Sequence, residues 1–166
     1  YKKVECINKN FKGTLVKIDK TLNMWKMRSL SLLGKIQIIK TFGISKLLFA
    51  TNMLNTPEEI IKEANTIFYK FLWNGPDKIK RTAMIAEIEN GGIKMPHLES
   101  IIRTQKTMWI KRLADDNYHP WKEFLYLSSS KQLAGTDVYN RKIPDNLIKI
   151  SQMSDFNKEL LINWNK

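Results

Sequence analysis

The chain has 166 residues, 43% of them hydrophobic, which is enough for one or two small domains with their own cores and excludes wholesale disorder. Its 28 Lys and Arg outnumber 16 Asp and Glu, a net charge of +12, and it carries one cysteine and two histidines. Cys6 alone excludes an internal disulfide; with only His97 and His119 beside it, no metal site is expected, and no cofactor motif is present.

No run approaches the roughly 18 apolar residues of a membrane span. The N-terminus lacks a signal peptide's apolar region and the chain starts at Tyr1, so the expectation is a piece of a longer polypeptide in an intracellular, reducing compartment, nucleus or cytoplasm. The charge is unevenly placed. Residues 1–114 hold 21 Lys and Arg against 9 Asp and Glu, residues 115–166 hold 7 of each, and within 1–57 the count is 11 against 2. Such asymmetry points to a polyanion partner for the first part, nucleic acid before an anionic membrane, with a plain solubility charge as the alternative.

In chain order, Ile7, Phe11, Leu15, Ile18, Leu22 and Trp25 step by four and three, which predicts a helix over 7–26 with one apolar stripe. Lys9, Lys12, Lys17 and Lys20 fall on its other side, with only Asp19 to pair them. Arg28 follows, then Leu30-Ser31-Leu32. Ser31 is a good N-cap for a second helix to about Phe42, carrying Leu32, Ile36 and Ile39 inward and Lys35 and Lys40 between them. Gly34 sits in its first turn at a cost of about 1 kcal/mol against Ala. That cost suggests close approach of another backbone or a ligand at a tight corner rimmed by Arg28, Lys35 and Lys40; an ordinary helical corner with solvated lysines is the alternative.

Gly43-Ile44-Ser45 is expected to break or kink the helix, with Ser45 capping a third segment through Asn52 that includes Lys46. Phe42 and Phe49, in apolar surroundings, are assigned to the core, with base stacking as the alternative. Thr56-Pro57-Glu58-Glu59 predicts a helix start, Thr56 capping, Pro57 at the first position and Glu59 completing a capping box. The helix should end at Trp73-Asn74-Gly75-Pro76.

Beyond it come the basic Lys78-Ile79-Lys80-Arg81, a brief helix at 83–88 capped by Thr82, a turn at Asn90-Gly91-Gly92 and a possible strand at Ile93-Lys94-Met95. A helix over 97–114 is predicted to turn Leu98, Ile101, Ile102, Met108, Trp109 and Leu113 inward and Arg103 and Lys111 outward. Arg112, on the apolar side, should snorkel or find a carboxylate. Asp115-Asp116-Asn117 ends it. Pro120 opens a short helix with Trp121, Phe124 and Leu125, residues 128–137 read as loop, and Asp155 caps a last helix through Trp164.

The fold class is therefore mostly α: a basic, thumb-like helical bundle at 1–75, a post-thumb segment at 76–127 with the Gly-Gly turn and a short β-hairpin or strand, and a loop and C-terminal helix at 128–166.

These residues resemble the region after the catalytic palm in the reverse transcriptase of non-LTR (LINE-type) retrotransposons. The resemblance rests on Trp25, Arg28, Leu30-Ser31-Leu32, Gly34-Lys35-Ile36 and Lys40. It continues through Pro57 and Phe71-Leu72-Trp73, Lys78-Ile79-Lys80, Gly91-Gly92-Ile93 with Pro96, and Trp109-Ile110-Lys111-Arg112. It covers about residues 11–121 and implies a thumb that grips the template–primer duplex, RNA–DNA hybrid or duplex DNA, during target-primed reverse transcription. The palm and fingers of the parent RNA-directed DNA polymerase would be its protein partners. The Tyr-x-Asp-Asp of the palm is absent, so the chain by itself is expected to be no enzyme. Arg28, Lys35, Lys40, Lys46, Lys9, Lys12, Lys17 and Lys20 are the candidate nucleic-acid contacts, and Trp25, Ser31, Gly34, Trp73, Gly91, Gly92 and Trp109 the structural positions. The competing reading is a helical protein-interaction module whose basic surface is merely solvating.

Overall fold

The predicted stripe of the first helix holds. Phe11, Leu15, Ile18 and Leu22 are each buried to within about 1% of full enclosure, and Trp25 is half-buried. Fully burying side chains of this size stabilises by about 1.5–3 kcal/mol each, which fixes the helix against its neighbours. In this computed structural model residues 5, 8–114, 117–123, 148 and 154–165 are described. The expectations at Ile7, at the side chain of Leu113, at Asp115, Asp116, Phe124 and Leu125 and over 128–137 lie outside the described residues or side chains.

The first helix opens with a wide π-helical turn, Asn8–Lys12, and continues as α1, Gly13–Trp25. A turn through Arg28 leads to α2, Leu32–Ile38, whose N-cap is Ser31 as expected: its hydroxyl accepts from the backbone N–H of Gly34 at 3.1 Å. The predicted break at Gly43 does not occur. A second π-helical stretch, Ile39–Ile44, carries the chain without interruption into α3, Ser45–Met53. Ser45 is no cap; its backbone is helical and its hydroxyl donates back to the Thr41 carbonyl. Gly43 is there for space: a Cβ would lie 2.6 Å from the ring of Phe68. The extra residue of a π turn lets the rod stay helical while that glycine faces the ring.

α4, Glu58–Trp73, packs against α1 and α2 and supplies Ile60, Ala64, Phe68, Tyr69, Phe71 and Leu72 to the core. Its start is one residue later than predicted. Pro57, extended, is the N-cap without a side-chain bond, and its carbonyl accepts from Ile60 and Ile61. At its other end Asn74, not Gly75, takes the left-handed conformation (φ 53°); Asn tolerates that region because its short side chain bonds locally.

Next, α5 is Arg81–Ile85, with Lys80 rather than Thr82 at its N-cap, followed by a single 3₁₀ turn, Ile88–Asn90. The expected hairpin or strand is not formed, and no strand occurs among the described residues. Ile93 and Met95 both donate to the Met84 carbonyl and Lys94 to that of Ala86, so the segment folds back on α5 instead of pairing in a ladder. The Gly-Gly pair makes this possible. Gly91 has φ +76°, and a Cβ on Gly92 would stand 1.9 Å from the Ala86 carbonyl oxygen. Met84, Met95 and Leu98 are buried here.

The chain divides into two compact units, Tyr1–Ile101 and Ile102–Lys166, where the sequence places boundaries after 75 and 127. α6, Leu98–Ala114, runs through that division. In the second unit α6 and α7, Asp155–Asn165, contribute Ile110, Leu160 and Leu161 to a core that also holds Ile148, with Trp109, Phe156, Ile162 and Trp164 packed on it. Residues 120–123 are helical. The Trp109 ring meets Trp121 and Phe156 edge-on at 5.5 and 6.0 Å. α7 is capped by Ser154, whose hydroxyl accepts from Asn157 N–H, and not by Asp155.

One expectation for α6 fails: Met108 is 44% exposed. Lys106, for which no role was expected, is fully enclosed. The Lys106 ammonium lies 3.3 Å from the Glu159 carboxylate and 4.2 Å above the Phe156 ring. Arg112 is exposed and stacks on Trp109 at 5.2 Å, the snorkelling alternative. No helix among the described residues is long and apolar enough to cross a membrane.

Candidate nucleic-acid interface

The lysines of the first helix, its π-helical turn included, are exposed because it has one apolar stripe and nothing else to bury. Lys9, Lys12, Lys17 and Lys20 all face solvent. They are not on a single face. Lys12, Val16 and Lys20, four apart, form the outermost row, whereas Lys17, Thr21 and Met24 form the flank beside it.

That flank meets α3. The Lys46 ammonium donates to Thr21 Oγ1 at 2.7 Å, and Thr21 donates in turn to the Lys17 carbonyl at 2.8 Å. Four residues further along α1, Trp25 stacks on Phe42 at 5.6 Å, four residues earlier in the other rod. The two rods are therefore antiparallel in a fixed register, which sets Lys17 level with the turn of α3 that carries Phe49 and Ala50. Arg28 completes this side: its guanidinium lies 4.6 Å above the Trp25 ring, giving a ladder of Arg28, Trp25 and Phe42. Lys40 is exposed in the π-helical stretch.

Lys35 is placed differently. Its ammonium donates to the carbonyl of Leu72 at 3.0 Å, at the C-terminal end of α4, and lies 5.9 Å from the Phe71 ring centre. The negative end of a helix dipole favours a cation there. Burial first, then the charges of Lys26 and Lys78, hold its pKa below the usual lysine value. Lys26 and Lys78 thus lie near enough to act on Lys35, and of the three only Lys35 is among the candidate contacts named from the sequence.

At Gly34 the nearest atoms come from the local turn, Ser31 and Leu30, and not from a distant backbone. A Cβ there would meet the Ser31 hydroxyl at 3.3 Å, so the tightness belongs to the cap itself. Of the remaining structural positions, Trp25 anchors the cation ladder, Gly91 and Gly92 make the turn, and Trp109 centres the aromatic group of the second unit. Trp73 is half-buried, with an indole N–H that meets no acceptor among the described residues.

Phe49 departs from its assignment to the core, with base stacking as the alternative already named for it. It is 77% exposed, not part of the core, while its neighbour Leu47 is buried. The signal was present in the helical period: Leu47, Ala50 and Thr51 form the inward side, and Phe49 falls outside it. Phe42, in contrast, is half-buried against Trp25.

What this arrangement can do chemically is bind anions. Among described residues 8–57, Asp19 is the only carboxylate, and it accepts from Asn23 at 3.0 Å. Ammonium groups without nearby carboxylates repel one another until phosphates relieve them. No group of three or more His, Cys, Asp or Glu that could hold a metal occurs among the described residues. No family model matches the chain, and no solved structure matches it.

Proposed function

We propose that this chain is a non-catalytic nucleic-acid-binding element, the thumb region of a LINE-type reverse transcriptase, gripping a template–primer duplex through its phosphates. The observation that carries the reading is the one-sided charge of the first helical hairpin. Exposed Lys9, Lys12, Lys17, Lys20, Arg28, Lys40 and Lys46 face a single carboxylate, Asp19, over residues 8–57. A grip that advances along a duplex must not read its sequence, and lysines contacting phosphate carry no base information. A rigid antiparallel hairpin, held by Thr21–Lys46 and Trp25–Phe42, keeps those charges at constant spacing.

Exposed Met27 and Leu33, at 92% and 58% beside the turn between the rods, favour a protein contact as well. In this reading they face the palm and fingers of the parent polymerase. They are also the observation that favours the alternative, a helical protein-interaction module with a solvating basic surface.

The test is equilibrium binding of the purified chain to RNA–DNA hybrids of unrelated sequence over a range of salt concentrations. Log affinity falls linearly with log salt, with one slope for all sequences, each phosphate contact adding roughly 0.9 to it. Affinity independent of salt, or no binding to hybrid or DNA duplex, refutes the proposal.

A further inference from the structure

We infer that Phe49 is a stacking platform for an unpaired base, so that the hairpin engages the single-stranded extension beside a duplex as well as the duplex itself. The inference deepens the proposed function and rests on it. Lys46, Phe49 and Met53 lie at i, i+3 and i+7 on α3 and share one side of that helix. Lys46 is bound to Thr21 of α1, and Lys17 is one turn from Thr21 on the same flank. An aromatic ring 77% exposed, with Met53 47% exposed beside it, thus stands among ammonium groups.

Three features select the occupant. Phe49 and Met53, exposed side by side, give an apolar surface available for contact. The hairpin itself supplies cations and almost no acid, which suits an anionic partner: Asp19, the sole acid of described residues 8–57, is two positions from both Lys17 and Thr21 and lies off their row. A phosphodiester strand supplies anions spaced about one base apart and offers a flat π-face between them, which alternating cation and aromatic groups match. Paired bases within a duplex hide those faces, so the ring needs unpaired ones. Stacking on a ring uses the π-face that every base has, so the contact is indifferent to which base is present.

The experiment uses the whole chain and three ligands: a blunt RNA–DNA hybrid, the same hybrid with a short single-stranded extension, and one whose extension has the same phosphates on abasic sugars. The charge of the last two is equal, so their difference isolates the bases. Wild type binds the base-bearing extension roughly five-fold or more tightly than the abasic one, the effect of one stacked base. Phe49→Ala removes that ratio, leaves blunt-hybrid affinity and helicity unchanged, and abolishes quenching of a 2-aminopurine at the first unpaired position. Phe49→Trp keeps the ratio. Equal affinity of wild type for the two extensions overturns the inference while leaving the duplex grip standing. A ratio that survives Phe49→Ala overturns it too, as does Phe49→Ala weakening the blunt hybrid equally, or weakening adhesion to phosphatidylserine vesicles alone. Absence of binding to all three ligands overturns the proposed function together with the inference.

Discussion

The ammonium of Lys35 lies 3.0 Å from the carbonyl oxygen of Leu72, so a cation expected at a ligand surface ties α2 to the end of α4. A charged hydrogen bond to a carbonyl at a helix C-terminus combines two favourable terms, and partial solvent exposure reduces both. Lys35→Gln is expected to cost about 1 kcal/mol of folding stability, whereas Lys40→Gln, exposed, should cost none. Urea unfolding midpoints of the two variants make the comparison. Equal midpoints would show that the Leu72 contact adds nothing.

Gly43 and Gly34 should respond differently to alanine. At Gly43 the added methyl meets the buried Phe68 ring at 2.6 Å, and overpacking of this kind costs about 1–3 kcal/mol, more than the roughly 1 kcal/mol gained in helix propensity. At Gly34 the contact is the Ser31 hydroxyl at 3.3 Å, so the same gain is offset only by a strained cap and the net change stays within about 1 kcal/mol. Thermal unfolding of the two variants decides it; Gly43→Ala as stable as wild type would mean that Phe68 can move aside freely.

In the second unit, Lys106 and Glu159 are unequal partners. Lys106 is wholly enclosed, while the Glu159 side chain keeps 16% exposure. Removing the carboxylate takes the ion-pair partner from a wholly enclosed ammonium, a loss of the kind that costs about 3–5 kcal/mol; Lys106→Met leaves the better solvated group and should cost less. The double change Lys106→Met with Glu159→Leu should recover most of the loss. Denaturant unfolding of the three variants measures this. Glu159→Gln milder than Lys106→Met would contradict the assigned burial.

The same lysine gives a pH dependence. Burial lowers its folded pKa below the ordinary lysine value of 10.5, and Glu159 opposes that shift only in part. Between the lowered value and 10.5 the unfolded chain holds more protons at this group than the folded one, so its contribution to stability rises with pH through that window and is complete above it. Wild-type stability minus that of Lys106→Met should therefore increase with pH across the alkaline range. A difference that falls with pH would show a raised pKa instead.

Periodicity in the sequence carried the first hairpin well. Phe11, Leu15, Ile18, Leu22, Ile36 and Ile39 are spaced for one buried stripe, and Ser31 is an N-cap by chemistry alone. What escaped it were departures from that period. A π turn adds a residue, so Gly43 reads as a breaker when it is a space for Phe68. The left-handed helix end fell to Asn74 beside a glycine better suited to it on propensity. Lys106 escaped because charge outweighed position: Leu98, Ile102, Lys106 and Ile110 are four apart, and the three apolar members are buried. Of the candidate contacts, exposure was legible from the amphipathic pattern. The diversion of Lys35 to Leu72 was not, since it depends on where α4 ends in space.

The central claim is that placed cations, and not net charge, hold the nucleic acid. It is tested most directly by the salt dependence of hybrid binding for two charge-matched variants. In one, Lys17 and Lys40 of the hairpin become Gln; in the other, Lys62, which pairs with Glu58 on α4, and the exposed Lys111 of α6 do. The account predicts that the first variant lowers the slope of log affinity against log salt by up to about 2, at roughly 0.9 per phosphate contact, equally on all sequences, with the second unchanged. Equal loss of slope in both variants, with helicity intact, would show that net charge alone attracts the nucleic acid and would contradict the grip.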